Sequence, residues 1–140
     1  MTDAARRLRL LSLMALQERQ QMGLASSRVQ NLRNQETRQF DMADRLGGLL
    51  DRTTAGTGQP LSHGQFCADQ FMRLTLASQL EQVRTDMDQT RRQRKAAEQD
   101  LSHHHQKEQV LSERAKDTHR AMLRDRAAQT YEKQPRRGTR

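Results

Sequence analysis

Aromatic residues are scarce in this chain, since they make up 3% of its 140 residues, and tryptophan is absent. Hydrophobic residues reach only 33%, which excludes a thick globular core. The single cysteine, Cys67, excludes an internal disulfide and argues for a reducing cytoplasm. No apolar run approaches the ~20 residues of a membrane-spanning helix. We therefore expect a thin helical protein, soluble or peripheral to a membrane.

Proline is also scarce, with only Pro60 and Pro135 to interrupt a chain rich in helix formers. The first part of the chain carries a seam of positions spaced alternately three and four residues apart, the pattern of a coiled coil. Ten of its thirteen positions are apolar. They are Leu8, Leu11, Ala15, Glu18, Met22, Ala25, Val29, Leu32, Glu36, Gln39, Ala43, Leu46 and Leu50.

A second seam follows a stretch rich in glycine, threonine and proline, which disfavours helix. Nine of its fourteen positions are apolar. They are Leu76, Leu80, Val83, Met87, Thr90, Arg94, Ala97, Leu101, His104, Glu108, Leu111, Ala115, Thr118 and Met122. Two such helices joined by a short loop must run antiparallel.

We thus predict an all-α fold, an antiparallel two-helix coiled-coil hairpin with one loop and a longer second helix. It forms a single coiled-coil domain over residues 1–140. Helix one spans about 3–52, the loop about 53–61, helix two about 62–131 and a basic tail 132–140. Ser62 is expected to cap helix two, whose far end overhangs helix one.

Folding about the middle of the loop predicts the register of the two helices. The expected neighbours are Leu32 with Val83, Val29 with Met87, Ala15 with Leu101 and Leu8 with Glu108. The same register brings Glu18 close to Arg94, and we predict that this ion pair selects the register more than it stabilises the fold. The alternative is that both side chains extend into water from a thin seam.

Three other interpretations of the chain stay open. Low hydrophobicity with a net charge of +8 permits disorder in isolation, although disordered chains lack a sustained heptad. Arg6 and Arg7, before an apolar run at 10–16, imitate a secretory leader, but that run is in register with the heptad. A parallel dimer of two chains with an open loop would also satisfy the heptads. We expect a monomer.

The residues that could support chemistry form no site. His103, His104 and His105 are consecutive, and consecutive helical residues point about 100° apart, so they cannot share one metal ion. His104 is expected to fill a seam position. Cys67 has His63 four residues before it but no third group to orient the pair, and we expect a small buried cysteine. We predict no enzyme, no cofactor and no small-molecule substrate.

The positive charge raises nucleic acid as a partner. However, the 25 basic residues are interleaved with 17 acidic ones along both helices, as on a solvated coiled-coil exterior. Basic residues are concentrated only at 91–95 and in the tail, without the aromatics that stack on bases. Nucleic acid is therefore not the expected partner, although a basic nucleic-acid-associated protein stays an alternative.

A resemblance to a known family rests on the layout and on a few residues. These are Arg6-Arg7-Leu8 with Leu11 and Leu16 at the start of helix one, and Phe71-Met72 with Leu76 after the loop. With the mid-chain Gly/Pro loop and the Arg-rich tail, they give a chain that resembles the flagellar export protein FliJ family over nearly its whole length. Injectisome stalk proteins of the YscO type look similar, so the resemblance leaves flagellum or injectisome open.

The resemblance implies a central-stalk or adaptor component of a flagellar type III protein export apparatus. Such a protein is cytoplasmic and peripheral to the inner face of the cell membrane. The implied partners are a hexameric export ATPase, an export-gate membrane protein and export chaperones. The implied ATPase contacts are Arg6, Arg7, Arg120, Arg124 and Arg126, and the implied gate contacts are Phe71, Met72, Leu76 and Val83. The alternative from the residues alone is a generic antiparallel coiled-coil scaffold.

Overall fold

The computed structural model describes residues 2–55, 62–134 and 138 of the chain. Helix α1 spans Asp3–Ala55 and helix α2 spans His63–Lys133, with 53 and 71 residues respectively. The two helices form an antiparallel hairpin, and no described residue lies in a strand. The predicted all-α hairpin with a longer second helix is therefore confirmed.

Each helix is preceded by a residue whose side-chain hydroxyl caps the first turn. The amide of Ala5 donates to Thr2 Oγ1 at 3.3 Å. At the start of α2, the amide of Gln65 donates to Ser62 Oγ at 3.3 Å while the amide of Ser62 donates to Gln65 Oε1 at 3.2 Å. This reciprocal pair is a capping box, which satisfies two amides that otherwise lack helical partners. The predicted cap at Ser62 is confirmed.

Helix α1 continues three residues past its predicted end near residue 52. Thr53 Oγ1 donates to the Leu50 carbonyl at 2.7 Å, and Thr54 Oγ1 donates to the Asp51 carbonyl at 2.8 Å. These bonds let threonine side chains stay within the last turn. The rest of the predicted loop, residues 56–61, and most of the basic tail lie outside the described residues.

The positions buried between the two helices are those that the heptad pattern predicts. Each of the predicted seam positions in both helices is buried or half-buried. Among the described residues, those classed as buried are Ala15, Val29, Leu32, Leu80, Thr90 and Ala97. Small and medium side chains thus form a core one seam thick, as the low hydrophobic content requires.

The chain divides into two compact units, and each contains a segment of both helices. One unit comprises Met1–Ser26 with Gln99–Arg140, and the other comprises Ser27–Glu98. A single coiled-coil domain over the whole chain stays a prediction. The contacts below are given for each unit by itself.

The predicted register is wrong in the unit formed by Ser27–Glu98. Arg33 bonds to Glu98, whereas the prediction placed its neighbour Leu32 opposite Val83. Near the end of α1, Arg73 Nη2 donates to the Thr53 carbonyl at 2.7 Å. Thr53 lies two residues before the end of α1, while Arg73 lies ten residues after the start of α2. The first turns of α2 therefore extend beyond the end of α1. Because of this offset, residues of α1 lie opposite residues of α2 that are closer to the C-terminal end of α2 than the predicted register placed them.

The unit formed by Met1–Ser26 and Gln99–Arg140 shows the same offset. His104 Nδ1 lies 2.7 Å from Glu18 Oε2, and Arg19 Nε lies 2.9 Å from Glu108 Oε1. The prediction had placed Glu108 opposite Leu8 instead. Beyond Met122, every described residue of α2 is exposed, as expected of the predicted overhang.

Candidate partner-binding surfaces

The first turns of α2 expose large apolar side chains, and we name this set the α2-start surface. It consists of Phe66, Phe71, Met72 and Leu74. Phe71 and Leu74 are 73% and 68% exposed. These side chains are exposed because they lie on turns beyond the end of α1 or on the side of α2 away from α1. Exposed aromatic and aliphatic side chains grouped on one helix are typical of a protein-binding site.

The structure divides the four residues implied as gate contacts into two pairs. Phe71 and Met72 are exposed, while Leu76 and Val83 are half-buried at seam positions. Only the first pair is therefore free to contact a partner. Leu74 was missed by the sequence analysis, although its spacing of three residues from Phe71 places both side chains on one side of the helix.

Cys67 lies on the same side of α2 as Phe71, one turn earlier. It is exposed, so the expectation of a buried cysteine is wrong. Its Sγ lies 3.8 Å from His63 Nε2. The expectation was based on the common burial of free cysteines, whereas this part of α2 has no segment of α1 against it.

A shallow groove lies beside the helical glycines Gly47 and Gly48. Phe40 from α1 and Leu80 and Met87 from α2 are among its lining residues. A Cβ atom on either glycine would meet no atom within 4 Å. The missing side chains leave this side of the unit open, and Phe40 is exposed there.

The arginines implied as ATPase contacts are exposed in the unit formed by Met1–Ser26 and Gln99–Arg140. They are Arg6, Arg7, Arg120, Arg124 and Arg126. Arg7 lines one groove with Arg114 and Asp117, which places the start of α1 beside this part of α2. Arg120 Nη1 is 4.0 Å from Asp117 Oδ1, a loose contact between two exposed side chains. The structure thus brings arginines of both helices to one end of the unit.

A chain of five charged side chains crosses the seam in the Ser27–Glu98 unit. Glu98 Oε1 accepts from Arg33 Nη2 and from Arg94 Nη1, each at 3.0 Å. Arg94 Nε lies 2.6 Å from Glu36 Oε2, and Arg91 Nε donates to Glu36 Oε1 at 3.5 Å. We name this chain the Arg94 network. Since Arg94 contacts a carboxylate on each helix, the network ties α1 to α2.

Hydrogen bonds to arginine shift the ionisation of this network. The hydrogen bond from Arg33, and to a smaller extent that from Arg94, holds the pKa of Glu98 below its ordinary value. The bonds from Arg94 to Glu98 and then to Glu36 raise the pKa of the guanidinium. Both shifts favour the charged forms of Glu98 and Arg94.

Glu108, in the other unit, is held in its charged form in the same way. Its Oε1 accepts from the Ser112 hydroxyl at 2.7 Å and from Arg19 Nε at 2.9 Å. The hydrogen bond from Ser112, and to a smaller extent that from Arg19, lowers the pKa of Glu108.

The predicted ion pair between Glu18 and Arg94 is wrong. Glu18 bonds to His104, while Arg94 bonds to Glu98 and forms an ion pair with Glu36. Both side chains do occupy half-buried seam positions with charged or polar partners. The prediction found the residues that need a partner across the seam but paired them in the wrong register.

The remaining candidate residues are the histidines, considered as metal ligands, and the basic stretch, considered as a nucleic-acid contact. His104 is half-buried in the seam as predicted, while His103 and His105 are exposed. Among the described residues, no group of three or more His, Cys, Asp or Glu side chains is placed to hold a metal ion. In the basic stretch at 91–95, Arg91 and Arg94 are bound to carboxylates, which reduces the positive charge available there to a polyanion.

Neither described helix contains a segment long and apolar enough to cross a membrane. No family model, no curated protein and no solved structure matches the chain. The function proposed below is therefore supported by the two exposed surfaces and by the layout of the sequence.

Proposed function

We propose that this protein is an adaptor without enzymatic activity, which binds one protein through the α2-start surface and another through its exposed arginines. In line with its resemblance to the FliJ family, it would act as a central stalk or adaptor of a flagellar type III protein export apparatus. The observations that support this proposal best are the exposed apolar side chains of the α2-start surface in one unit and the exposed arginines in the other unit. A two-helix hairpin with two different exposed surfaces is suited to linking two partners.

The α2-start surface fits an apolar partner surface such as that of an export-gate protein. Phe71 and Leu74 lie on one side of the helix and leave most of their area in water. Burial of exposed apolar area gives about 25 cal/mol per Å², so two such side chains contribute several kcal/mol on binding. Phe71 and Leu74 replace Leu76 and Val83 as the proposed contacts, because the latter pair already packs in the seam.

The exposed arginines fit an acidic partner such as the inner surface of a hexameric export ATPase. Arg6 and Arg7 on α1 and Arg124 on α2 are exposed. Exposed charges of one sign steer an acidic partner and fix its orientation, with an effect that weakens as salt increases. The proposed role is organisational: the chain promotes assembly of the ATPase ring, couples it to the gate and holds export chaperones near the membrane.

The ATPase contact is tested with the purified chain and the export ATPase of the same organism. We expect the chain to stimulate hexamer formation and ATP hydrolysis. R6E/R7E and R120E/R124E should each abolish the stimulation. R28E/R38E is the matched control, since it reverses the same number of exposed arginines elsewhere on α1.

The gate contact is tested by copurification with the cytoplasmic part of the export-gate protein. F71A/L74A should abolish binding without changing helicity, because neither side chain is buried. The control is L24A, which removes another exposed leucine. Stimulation of the ATPase should survive F71A/L74A, since the arginines are untouched.

Each competing function predicts a different result. A generic coiled-coil scaffold would be a helical monomer that neither stimulates the ATPase nor binds the gate. A nucleic-acid-associated protein would be retained on DNA or heparin and would show no response to the ATPase. Stimulation that is lost equally in R6E/R7E and in the R28E/R38E control would mean that only net charge matters, and would overturn the assigned contact.

A further inference from the structure

The start of α1 exposes apolar side chains that the proposed function does not use. Leu8, Leu11 and Ala15 are half-buried or buried in the seam. Leu10 and Leu13 are 58% and 56% exposed, although they belong to the same apolar run. Successive helical residues are about 100° apart, so these two leucines lie on the side of α1 opposite the seam.

Two further residues widen this exposed side. Met14 and Leu16 are exposed and flank the line through Leu10 and Leu13. We name the four residues the Leu10 face. Within it, the chain from Leu10 to Gln17 carries no charge at all. An uncharged apolar side this wide on an otherwise charged helix is typical of a surface that binds an apolar partner.

Arginines adjoin the Leu10 face. Arg6, Arg7 and Arg9 are all exposed, and no acidic residue occurs between Asp3 and Glu18. By helical spacing, Arg7 borders the apolar side at one edge, Arg9 lies near the other edge between the directions of Leu13 and Leu16, and Arg6 precedes the apolar side in its middle. Long arginine stems permit the guanidinium to reach away from an apolar layer toward a charged one.

We propose that the Leu10 face binds an anionic lipid surface, with α1 lying in the plane of the membrane interface. The four apolar side chains enter the boundary between headgroups and acyl chains, and the three arginines contact lipid phosphates. An apolar side bordered by basic residues is the pattern of helices that bind membrane surfaces, where apolar burial and attraction to anionic lipids act together.

The charges favour lipid over a second helix as the occupant. The exposed apolar side covers only about two turns, whereas a stable seam between helices needs about three to four heptads. The outward positions that follow at once, Gln17, Gln20 and Gln21, are polar, and the next exposed leucine on this side, Leu24, lies about two turns beyond Leu16. The three arginines with no acid among them complement a negatively charged surface. This inference does not depend on the ATPase or the gate, because it concerns the chain and lipid alone.

The first test measures binding of the full chain to vesicles by cosedimentation. We expect binding to phosphatidylcholine vesicles that contain phosphatidylglycerol and none to phosphatidylcholine alone. L10Q/L13Q should abolish binding, while L123Q, which changes another exposed leucine, should keep it. R6Q/R7Q/R9Q should weaken binding by about a hundredfold, since each basic residue near an anionic surface contributes about fivefold. R28Q/R38Q/R45Q is the matched charge control and should weaken it far less.

The second test uses the absence of tryptophan from the chain. L13W places a single fluorophore in the Leu10 face, and its emission should shift to the blue when anionic vesicles are added. L123W is the control, and its emission should not shift. Because both positions are exposed, neither variant disturbs the seam.

Three outcomes would overturn the inference. Equal losses in the two triple-arginine variants would show attraction of the whole basic chain without a defined face. A solution mass that rises with concentration and falls to that of a monomer in L10Q/L13Q would show that a second copy covers the face. Binding only to the ATPase, with no vesicle binding and no emission shift, would assign the arginines to a protein partner alone.

Discussion

Gln39 shows how a single polar residue weakens a thin seam. It occupies a half-buried seam position, and its Oε1 has no hydrogen-bond partner among the described residues. An unpaired buried polar atom costs about 1–3 kcal/mol. We predict that Q39L raises the free energy of unfolding by about 1–2 kcal/mol, because it removes this cost and adds apolar burial.

Urea unfolding followed by circular dichroism measures the effect of Q39L. Q35L serves as the control, since Gln35 is exposed on the same helix and its replacement should change stability little. A loss of stability in Q39L would mean that the amide has a structural partner that the seam requires.

The paired glutamates make stability depend on pH. The pKa values of Glu98 and Glu108 are lowered, from an ordinary value of 4.5, by the hydrogen bonds that each carboxylate accepts. A group with a lowered folded-state pKa stabilises the fold above its unfolded pKa and loses this contribution as pH falls through the folded value. We predict that the melting temperature is constant near neutral pH and falls as the pH drops below 4.5.

E98Q and E108Q test the source of this pH dependence. Each variant should lower the melting temperature at neutral pH and reduce its fall in acid, because the titrating carboxylate is gone. E113Q is the control, since Glu113 is exposed. An unchanged acid profile in E98Q/E108Q would assign the pH dependence to other groups.

The sequence identified the polar seam residues but not their partners. Glu18, Arg94 and His104 all occupy seam positions as predicted. A heptad fixes which side of a helix faces its neighbour, but it does not fix how far one helix has shifted along the other. Long arginine and glutamate side chains also reach partners a turn away, so small shifts change every pair.

At the scale of the helix, the cap at Ser62 controls the α2-start surface. The capping box with Gln65 begins a segment that has no α1 segment beside it, so local bonds must support its first turns. We predict that S62A costs about 1 kcal/mol of local stability. The expected result is faster amide exchange over residues 63–70 and weaker binding through Phe71.

S78A is the matched control for S62A. Ser78 is exposed within α2, where alanine is the better helix former, so exchange at 63–70 should not increase. If S62A leaves exchange unchanged, the start of α2 is supported by contacts other than its cap.

The two helices were predictable because the heptad is sustained through both of them. The offset between the two helices was not predictable, because it depends on how the chain connects Ala55 to Ser62. A Gly/Pro-rich sequence indicates that a helix ends, but it does not indicate where the next helix begins relative to the first. Composition also suggested an earlier end of α1 than the structure shows. Gly47 and Gly48 lie inside α1, where intrahelical bonds and the seam outweigh their low helix propensity.

At the scale of the whole molecule, exposed surfaces were only partly predictable. Phe71 lies off the heptad, was implied as a partner contact by the resemblance, and is exposed in the structure. Leu74 also lies off the heptad and was missed, as was the exposure of Cys67. Heptad spacing predicts which residues are buried where both helices are present, but the ends of the overlap decide which apolar residues remain exposed.

The distribution of charge over the whole molecule predicts how it meets nucleic acid. A net charge of +8 attracts any polyanion, yet two arginines of the 91–95 stretch already hold carboxylates in the Arg94 network. We expect weak binding to duplex DNA that does not depend on sequence and that disappears between about 50 mM and 200 mM salt. Fluorescence anisotropy with two unrelated duplexes over this salt range measures it. Tight binding to one duplex at the higher salt would instead support a nucleic-acid-associated protein, since charge attraction alone cannot distinguish the two sequences.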